Sequence, residues 1–176
     1  MKKRIGNDTK KLTKDCSSKF EEDLKLVTLK LMSSEEFQQY LDISVVNYAK
    51  EKVASGNWSQ EESLTKAKEE YARLLPDGEK SENNYLYNVL HENHAVGIIW
   101  LAQKTNGEGF IYDISISETY RGCGYGKEAM KEIEGIAKEL GMTKIGLHVF
   151  GHNLVARGLY ESLGYETTNV VMVKEI

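Results

Sequence analysis

Tyr120-Arg121-Gly122-Cys123-Gly124-Tyr125-Gly126-Lys127 follows closely on the apolar, β-branched run Phe110 to Ile116 and leads into a helical pattern that starts at Lys127. Strand, glycine-rich turn and helix in that order aim a row of backbone N–H groups at one point. This is how a chain holds a phosphate. The glycines let the main chain come close to an anion and take conformations closed to other residues. Arg121 and Lys127 add positive charge at the same place. The ligand expected here therefore carries phosphate.

Two common phosphate loops are excluded by spacing. Gly-x-x-x-x-Gly-Lys-[Ser/Thr] would need glycine at position 121, which is Arg121, and a hydroxyl at position 128, which is Glu128. In the dinucleotide fingerprint Gly-x-Gly-x-x-Gly the third glycine would have to stand one residue later than it does, and the motif would open a first βαβ unit. What remains is Arg-x-x-Gly-x-Gly, carried by Arg121, Gly124 and Gly126.

Outward from this loop the chain reads as an α/β domain. Lys25 to Met32 has strand composition. Ser33 and Glu36 stand at capping-box spacing, and Phe37, Leu41, Val45 and Tyr48 follow at helical intervals. A second helix is expected from Ser59, with Leu64, Ala67, Tyr71 and Leu74 on one face, ended by Pro76-Asp77-Gly78. Tyr85–Leu90 and Ala95–Gln103 read as a hairpin across Glu92-Asn93-His94. After the loop, Met130, Ile133, Ala137 and Leu140 mark a helix closed by Gly141. Lys144–Phe150 reads as a strand, Leu154–Leu163 as a helix and Val170–Val173 as a last strand. The expected order is βααβββαβαβ, with a mixed sheet.

Composition bounds the function. The 176 residues suffice for one domain with a sizeable core. A net charge of −4 speaks against general nucleic-acid binding. There is no apolar run of membrane-spanning length, so no membrane partner is expected, and a cytoplasmic location is. In a reducing compartment no disulfide is expected between Cys16 and Cys123. His91, His94, His148 and His152 show no zinc spacing, and no metal is expected. Residues 1–23 stand apart as a basic extension, with seven Lys or Arg among the first nineteen. The domain proper is expected over residues 24–176. A second copy of the chain, as a homodimer, is one partner that would order the extension.

A second motif lies downstream. Asn153, Ala156 and Tyr160 form Asn-x-x-Ala-x-x-x-Tyr, followed by Gly164-Tyr165. With Ile114-Ser115-Ile116 leading into Arg121-x-x-Gly124-x-Gly126, this arrangement resembles the GNAT superfamily of acetyl-CoA-dependent N-acetyltransferases over roughly Leu24 to Ile176. The resemblance implies a mostly antiparallel, twisted sheet with helices on both faces. It implies that Arg121, Gly122, Cys123, Gly124, Tyr125, Gly126 and Lys127 hold the coenzyme A pyrophosphate. It further implies that pantetheine enters a gap between two splayed parallel strands and bonds the strand edge at Ile114 and Ile116. Asn153, Ala156 and Tyr160 would complete the coenzyme site.

The implied reaction is direct transfer of acetyl from acetyl-CoA to a primary amine of a small molecule or a protein. Such a reaction needs a neutral amine, donors for the tetrahedral oxyanion and a donor for the departing thiolate. Tyr160 suits the thiolate end, being protonated at neutral pH. A backbone N–H near Ile114 to Ile116 suits the oxyanion. The chain departs from common members in lacking a proline at Ser117–Thr119 and in having Tyr112 where many carry Glu. The base is accordingly open among Asp113, Tyr112, Glu118 and His148, acting directly or through water. Asp113 is the sole carboxylate inside its strand, and burying a charge there needs a reason. The alternatives from other classes are a catalytically silent coenzyme A sensor of the same fold and a nucleotide-phosphate module without acyl chemistry. The acceptor amine is not specified by the sequence.

Overall fold

The side chain of Ser33 accepts a hydrogen bond from the Glu36 N–H at 3.3 Å while Glu36 accepts one from the Ser33 N–H at 2.8 Å. This reciprocal cap starts the first long helix where the sequence places it. The computed structural model describes residues 27–174, so the whole basic extension, residues 1–23, lies outside the described residues. The elements are β1 (Thr28–Leu31), α1 (Ser34–Ala54), α2 (Gln60–Leu74), β2 (Asn84–His91), β3 (His94–Gln103), β4 (Gly109–Ile116), α3 (Tyr125–Glu139), β5 (Ile145–Leu147) and α4 (Leu154–Ser162). Short 3-10 turns at Gly78–Lys80 and Glu118–Tyr120 join them. No helix among the described residues is long and apolar enough to cross a membrane.

The strands form one sheet in sequence order, β1-β2-β3-β4-β5. The first three pairings are antiparallel and β4–β5 is parallel. The β2–β3 hairpin turns on Glu92 and Asn93 with φ of 49° and 67°, the geometry that matches the twist of the strands. Two cores flank the sheet. Phe37, Tyr40, Val45 and Ala49 of α1 and Ala67 and Tyr71 of α2 pack on Leu86 and Trp100. On the other face Ala129, Met130, Ile133 and Ala137 of α3 and Tyr160 of α4 pack on Val89, Ile99, Leu101 and Ile111.

Three details differ from the sequence expectation. Leu64 is 42% exposed, and Ser63 takes the buried place instead. The strand expected over Lys144–Phe150 is shorter, Ile145–Leu147. The last strand expected over Val170–Val173 does not form: these residues lie outside any helix or strand and are exposed. A strand exists only where an edge pairs with it, and composition cannot supply that edge.

The β3–β4 ladder carries the feature that positions the site. Leu101 faces Ile111 and Trp100 faces Asp113, so Tyr112 is one residue extra on β4. This bulge reverses the alternation. Before it, Ile111 points to the α3/α4 core; after it, Ile114 and Ile116 do. Asp113, opposite Trp100, therefore lies on the α1/α2 face. Nearby, Gly97 lets β3 approach β4 closely, for a Cβ there would stand 2.3 Å from the Ser115 carbonyl oxygen.

Gly97→Ala should accordingly lower stability by about 2 kcal/mol or more in urea unfolding. Gly135→Ala on α3, where a Cβ meets nothing within 4 Å, should instead raise it by about 0.5–1 kcal/mol. Equal effects of the two would show that the close approach at Gly97 does not constrain the sheet.

Candidate active site

Parallel pairing of β5 with β4 runs from Gly109↔Ile145 to Ile111↔Leu147 and stops there. The next residue of β4 is the bulged Tyr112. Past it the two strands part, and a cavity of about 460 Å³ occupies the gap. Its walls are Tyr112, Asp113, Ile114 and Ser115 on one side and His148, Val149 and Phe150 on the other. α1 and α2 roof it through Ser44, Tyr48, Glu70 and Tyr71, and Asn153 and Tyr160 reach it from the α4 side.

Asp113 is held where the bulge delivers it. The Tyr40 hydroxyl donates to Asp113 Oδ2 at 3.1 Å, and the nearby Ser44 hydroxyl and Ile114 N–H also favour the charged carboxylate. Burial raises its carboxyl to about pKa 6, against these three groups, which pull it down. Tyr40 is buried and its own phenol is pushed far up, first by burial and then by the Asp113 charge. Above pH 6 Asp113 is an ionised acceptor in a cleft, with a proton affinity suited to base chemistry.

Tyr160 reaches the same gap from the opposite core. It is 8% exposed, and burial together with the Asp113 charge pushes its phenol up to about 12. Its hydroxyl has no hydrogen-bond partner among the described residues, so it is available to a ligand. Asn153 caps α4, accepting from the Ala156 N–H at 3.1 Å. The Asn153–Ala156 pair thus sets the start and direction of the helix that carries Tyr160.

The glycine loop lies beyond the far end of β4. Gly122 and Gly124 have φ of 82° and 85°, and a Cβ at either would meet nothing within 4 Å. Gly124 is the N-cap of α3 and supplies no side chain to its first turn. The N–H groups of Lys127 and Glu128 fold onto the Gly124 carbonyl, while those of Gly124, Tyr125 and Gly126 have no backbone acceptor among the described residues. Open N–H groups at the start of a helix form an anion cradle. Gly126 packs between Leu159 and Ile116, at 3.5 and 3.7 Å from its would-be Cβ, which ties the loop to both β4 and α4. Arg121 folds back, donating from Nε to the Ile116 carbonyl at 3.0 Å, with Glu118 at 3.6 Å.

The sequence-predicted residues therefore fall in two groups. Asp113, Ile114, Asn153 and Tyr160 line the cavity; residues 121–127 lie at the start of α3, where Gly126 packs on Ile116; Ala156 lies in the first turn of α4 against the α3/α4 core. Of the alternative bases, Tyr112 stacks on Trp100 at 4.7 Å and His148 packs edge-on against Phe150 at 5.1 Å, both lining the cavity. Glu118 does not line it and faces Arg121 instead. Cys123 is not a free thiol in the structure; Cys16 lies outside the described residues. Among the described residues no cluster of His, Cys, Asp and Glu could hold a metal.

Sequence reasoning missed Tyr40, Ser44 and Tyr71. The available signal was Tyr40, Ser44 and Tyr48 at four-residue intervals, a row of hydroxyls along one face of α1. Tyr48 donates to Glu70 at 2.6 Å, so the row continues into a polar roof.

Comparison with known proteins shows the family and the fold. The model of the acetyltransferase (GNAT) family matches residues 50–165. YycN of Bacillus subtilis, described as an uncharacterized N-acetyltransferase, is 38% identical over 154 residues, covering 85% of this chain and 99% of YycN. Its crystal structure superposes with a TM-score of 0.82, covering 98% of that chain. YdgE of the same organism, likewise described as an uncharacterized N-acetyltransferase, is 35% identical, covering 85% of this chain and 98% of YdgE. AAC(6')-Iy, solved with the bisubstrate analogue CoA-S-monomethyl-acetylneamine, shares the fold at a TM-score of 0.55 and 12% identity, covering 85% of this chain and 97% of that one.

The raised Asp113 carboxyl has a stability consequence with a definite sign. Between its unfolded value of 3.8 and about 6 the folded chain holds a proton that the unfolded chain has lost. Stability should fall as pH rises through that window, by on the order of 3 kcal/mol. Asp113→Asn, which keeps an acceptor oxygen for Tyr40, should therefore melt higher than the parent at pH 7.5 and lose that advantage near pH 4. A pH-independent difference in Tm would remove the buried charge as its cause.

Proposed function

The chain belongs to the GNAT acetyltransferase family, and we propose that it moves the acetyl group of acetyl-CoA directly onto a primary amine. The observation that carries this reading is the division of labour along β4. Beyond its end stands a phosphate cradle, and at its bulge a gap between parallel strands brings a carboxylate and a phenol together. A bisubstrate analogue that joins coenzyme A to an amine, as held by AAC(6')-Iy of the same fold, asks for the same two parts.

In the proposed mechanism the pyrophosphate rests on the N–H groups of Gly124, Tyr125 and Gly126, with Arg121 and Lys127 supplying charge. Pantetheine lies along the edge of β4 at Ile114 and Ile116, and the acceptor amine enters beneath α1 and α2. The amine nitrogen attacks the thioester carbonyl, a backbone N–H near Ile114 supports the oxyanion, and the C–S bond then breaks. An alkylammonium, with a pKa near 10, gives up its proton poorly to a carboxylate of pKa about 6. Asp113 therefore acts on the much more acidic nitrogen of the tetrahedral adduct, or takes the proton through water. Tyr160 at about 12 is a weaker acid than the free thiol, at about 8.5. It stabilises the thiolate by hydrogen bonding, and the proton leaving the amine ends on sulfur through solvent.

The reading is tested in two steps. Acetyl-CoA should raise Tm where ATP and NAD do not. Gly124→Val forces a β-branched residue to positive φ where the anion passes, and coenzyme affinity should fall at least about tenfold, equivalent to about 1.4 kcal/mol. Unchanged affinity in a folded Gly124→Val protein would remove the loop from the site. With an acceptor in hand from an amine library read by mass spectrometry, Tyr160→Phe should lower kcat by about 100-fold with little change in coenzyme affinity. kcat/KM should rise with pH through about 6 in the parent, and Asp113→Asn should abolish that limb. A near-normal kcat in Tyr160→Phe would return this residue to the core.

A further inference from the structure

The roof of the cavity carries four charged side chains, Glu51 and Lys52 on α1 and Glu70 and Arg73 on α2. Two of them have partners within the fold. Glu51 Oε2 meets His152 Nε2 at 3.0 Å. The Lys52 ammonium lies over the Tyr48 and Trp58 rings, 5.2 and 5.1 Å from their centroids. Glu70 and Arg73 have no ion pair among the described residues. They stand three apart on α2 and are therefore neighbours on its surface. Both also line a second cavity, of about 410 Å³, beside Trp58. The Tyr48 hydroxyl donates to Glu70 Oε2 at 2.6 Å, which leaves Oε1 open among the described residues. Burial and Glu70 push the Tyr48 phenol up while Arg73 acts in the opposite sense, so both charges stand close to one hydroxyl. A carboxylate and a guanidinium side by side, each without a counter-charge, form a dipolar receptor.

Tyr71 joins this receptor to the reaction centre. It follows Glu70 in the chain, and after burial the charges of both Asp113 and Glu70 raise its phenol. Its ring packs on Trp100 at 5.8 Å, and Trp100 stacks on Tyr112 at 4.7 Å. All three line the cavity. The way from Asp113 to Glu70 thus runs over aromatic faces, which suit methylene groups.

We propose that the acceptor is a free diamino acid of the lysine or ornithine class. The inference rests on the acetyl-transfer reading above and names the substrate of that same site. The ω-amine lies at Asp113, the methylene chain crosses Tyr71, Trp100 and Tyr112, and the two α-charges meet the outer pair. Arg73 donates to the α-carboxylate in the forked geometry of a guanidinium, and Glu70 Oε1 accepts from the α-ammonium. The ω-ammonium loses one proton to solvent before attack. Its nitrogen then bonds the acetyl carbon, the C–S bond breaks, and the proton shed by the tetrahedral adduct ends on sulfur. The products are the ω-N-acetyl amino acid and coenzyme A as its thiol. Other amines match only in part. An alkyl diamine leaves Arg73 without an anion, and a lysine inside a polypeptide has amides where both α-charges would be.

The test gives the full chain acetyl-CoA with lysine, ornithine, cadaverine (lysine without its carboxylate), aminocaproate (lysine without its α-amine) and the Nα-acetyl amide of lysine, and reads thiol release and product mass. For the better of the two diamino acids, kcat/KM should exceed that of each trimmed analogue by about 100-fold or more, since a site built for both charges rejects a ligand that lacks one. Arg73→Met should erase the preference over cadaverine, and Glu70→Gln the preference over aminocaproate. The rise in Tm on adding acetyl-CoA should persist in both variants. Equal rates for whole and trimmed acceptors, a better rate with the Nα-acetyl amide, or an equal loss on every amine in both variants would overturn the inference. Transfer to other amines but to neither diamino acid overturns this inference alone. No transfer to any amine overturns the acetyl-transfer reading, and this one with it.

Discussion

One extra residue in one strand organises this molecule. Tyr112 has no opposite number on β3, and the side chains of β4 change faces across it. A regular ladder would put Asp113 beside Ile111 in the apolar α3/α4 core, where an ionised carboxylate has no donors and a prohibitive desolvation cost. The bulge turns it instead beneath α1, toward Tyr40 and Ser44. The same departure ends the pairing with β5 and opens the gap. The placement of the carboxylate and the cleft beside it therefore have one cause.

The two cores are separate clusters that meet across that gap. Tyr160 belongs to the α3/α4 side and Asp113 to the α1/α2 side, yet the charge of Asp113 is felt by the phenol. Neither core alone could present both groups to one substrate. Aromatic packing of Tyr40, Tyr71 and Trp100, with ring centroids 5.8 to 6.4 Å apart, makes the roof rigid around Asp113. Burial and donors act on the carboxyl in opposite senses. The balance leaves it ionised at neutral pH but with a proton affinity well above that of a free aspartate.

At the other end of β4 the chemistry is that of the main chain. Gly122 and Gly124 take positive φ without strain and leave open space in front of the first turn of α3. Tyr125 is flanked by the His91 and Tyr120 rings at 4.8 and 6.3 Å, which fixes the helix start against the hairpin. Arg121, bonded to the end of the strand, stands as a fixed charge at the rim rather than a loose one.

How much was legible beforehand follows from the range of the interactions involved. The capping box at Ser33 and Glu36, the glycine loop, the helical stripes of α3 and α4 and the Glu92–Asn93 turn are local signals, written within a few residues, and each was readable from the chain. So were Tyr160 and Asn153, because their spacing along one helix is itself a local pattern, and Asp113, because a carboxylate in an apolar strand is conspicuous. The face on which Asp113 lies was not readable, since strict alternation along Phe110–Ile116 pairs it with Ile111 and only the register against β3 reverses this. Tyr40, Ser44 and Tyr71 looked like ordinary positions on amphipathic helices until folding set them over that carboxylate. Val170–Val173 has the composition of a strand, but a strand is a property of two segments, and these residues pair with no other among the described ones. The sequence by itself determined the four helices, the first four strands, the glycine-rich turn before α3 and the family. Tertiary structure alone decided the meeting of Asp113 with Tyr160, because that depends on a bulge and a gap defined by contacts between residues distant in sequence.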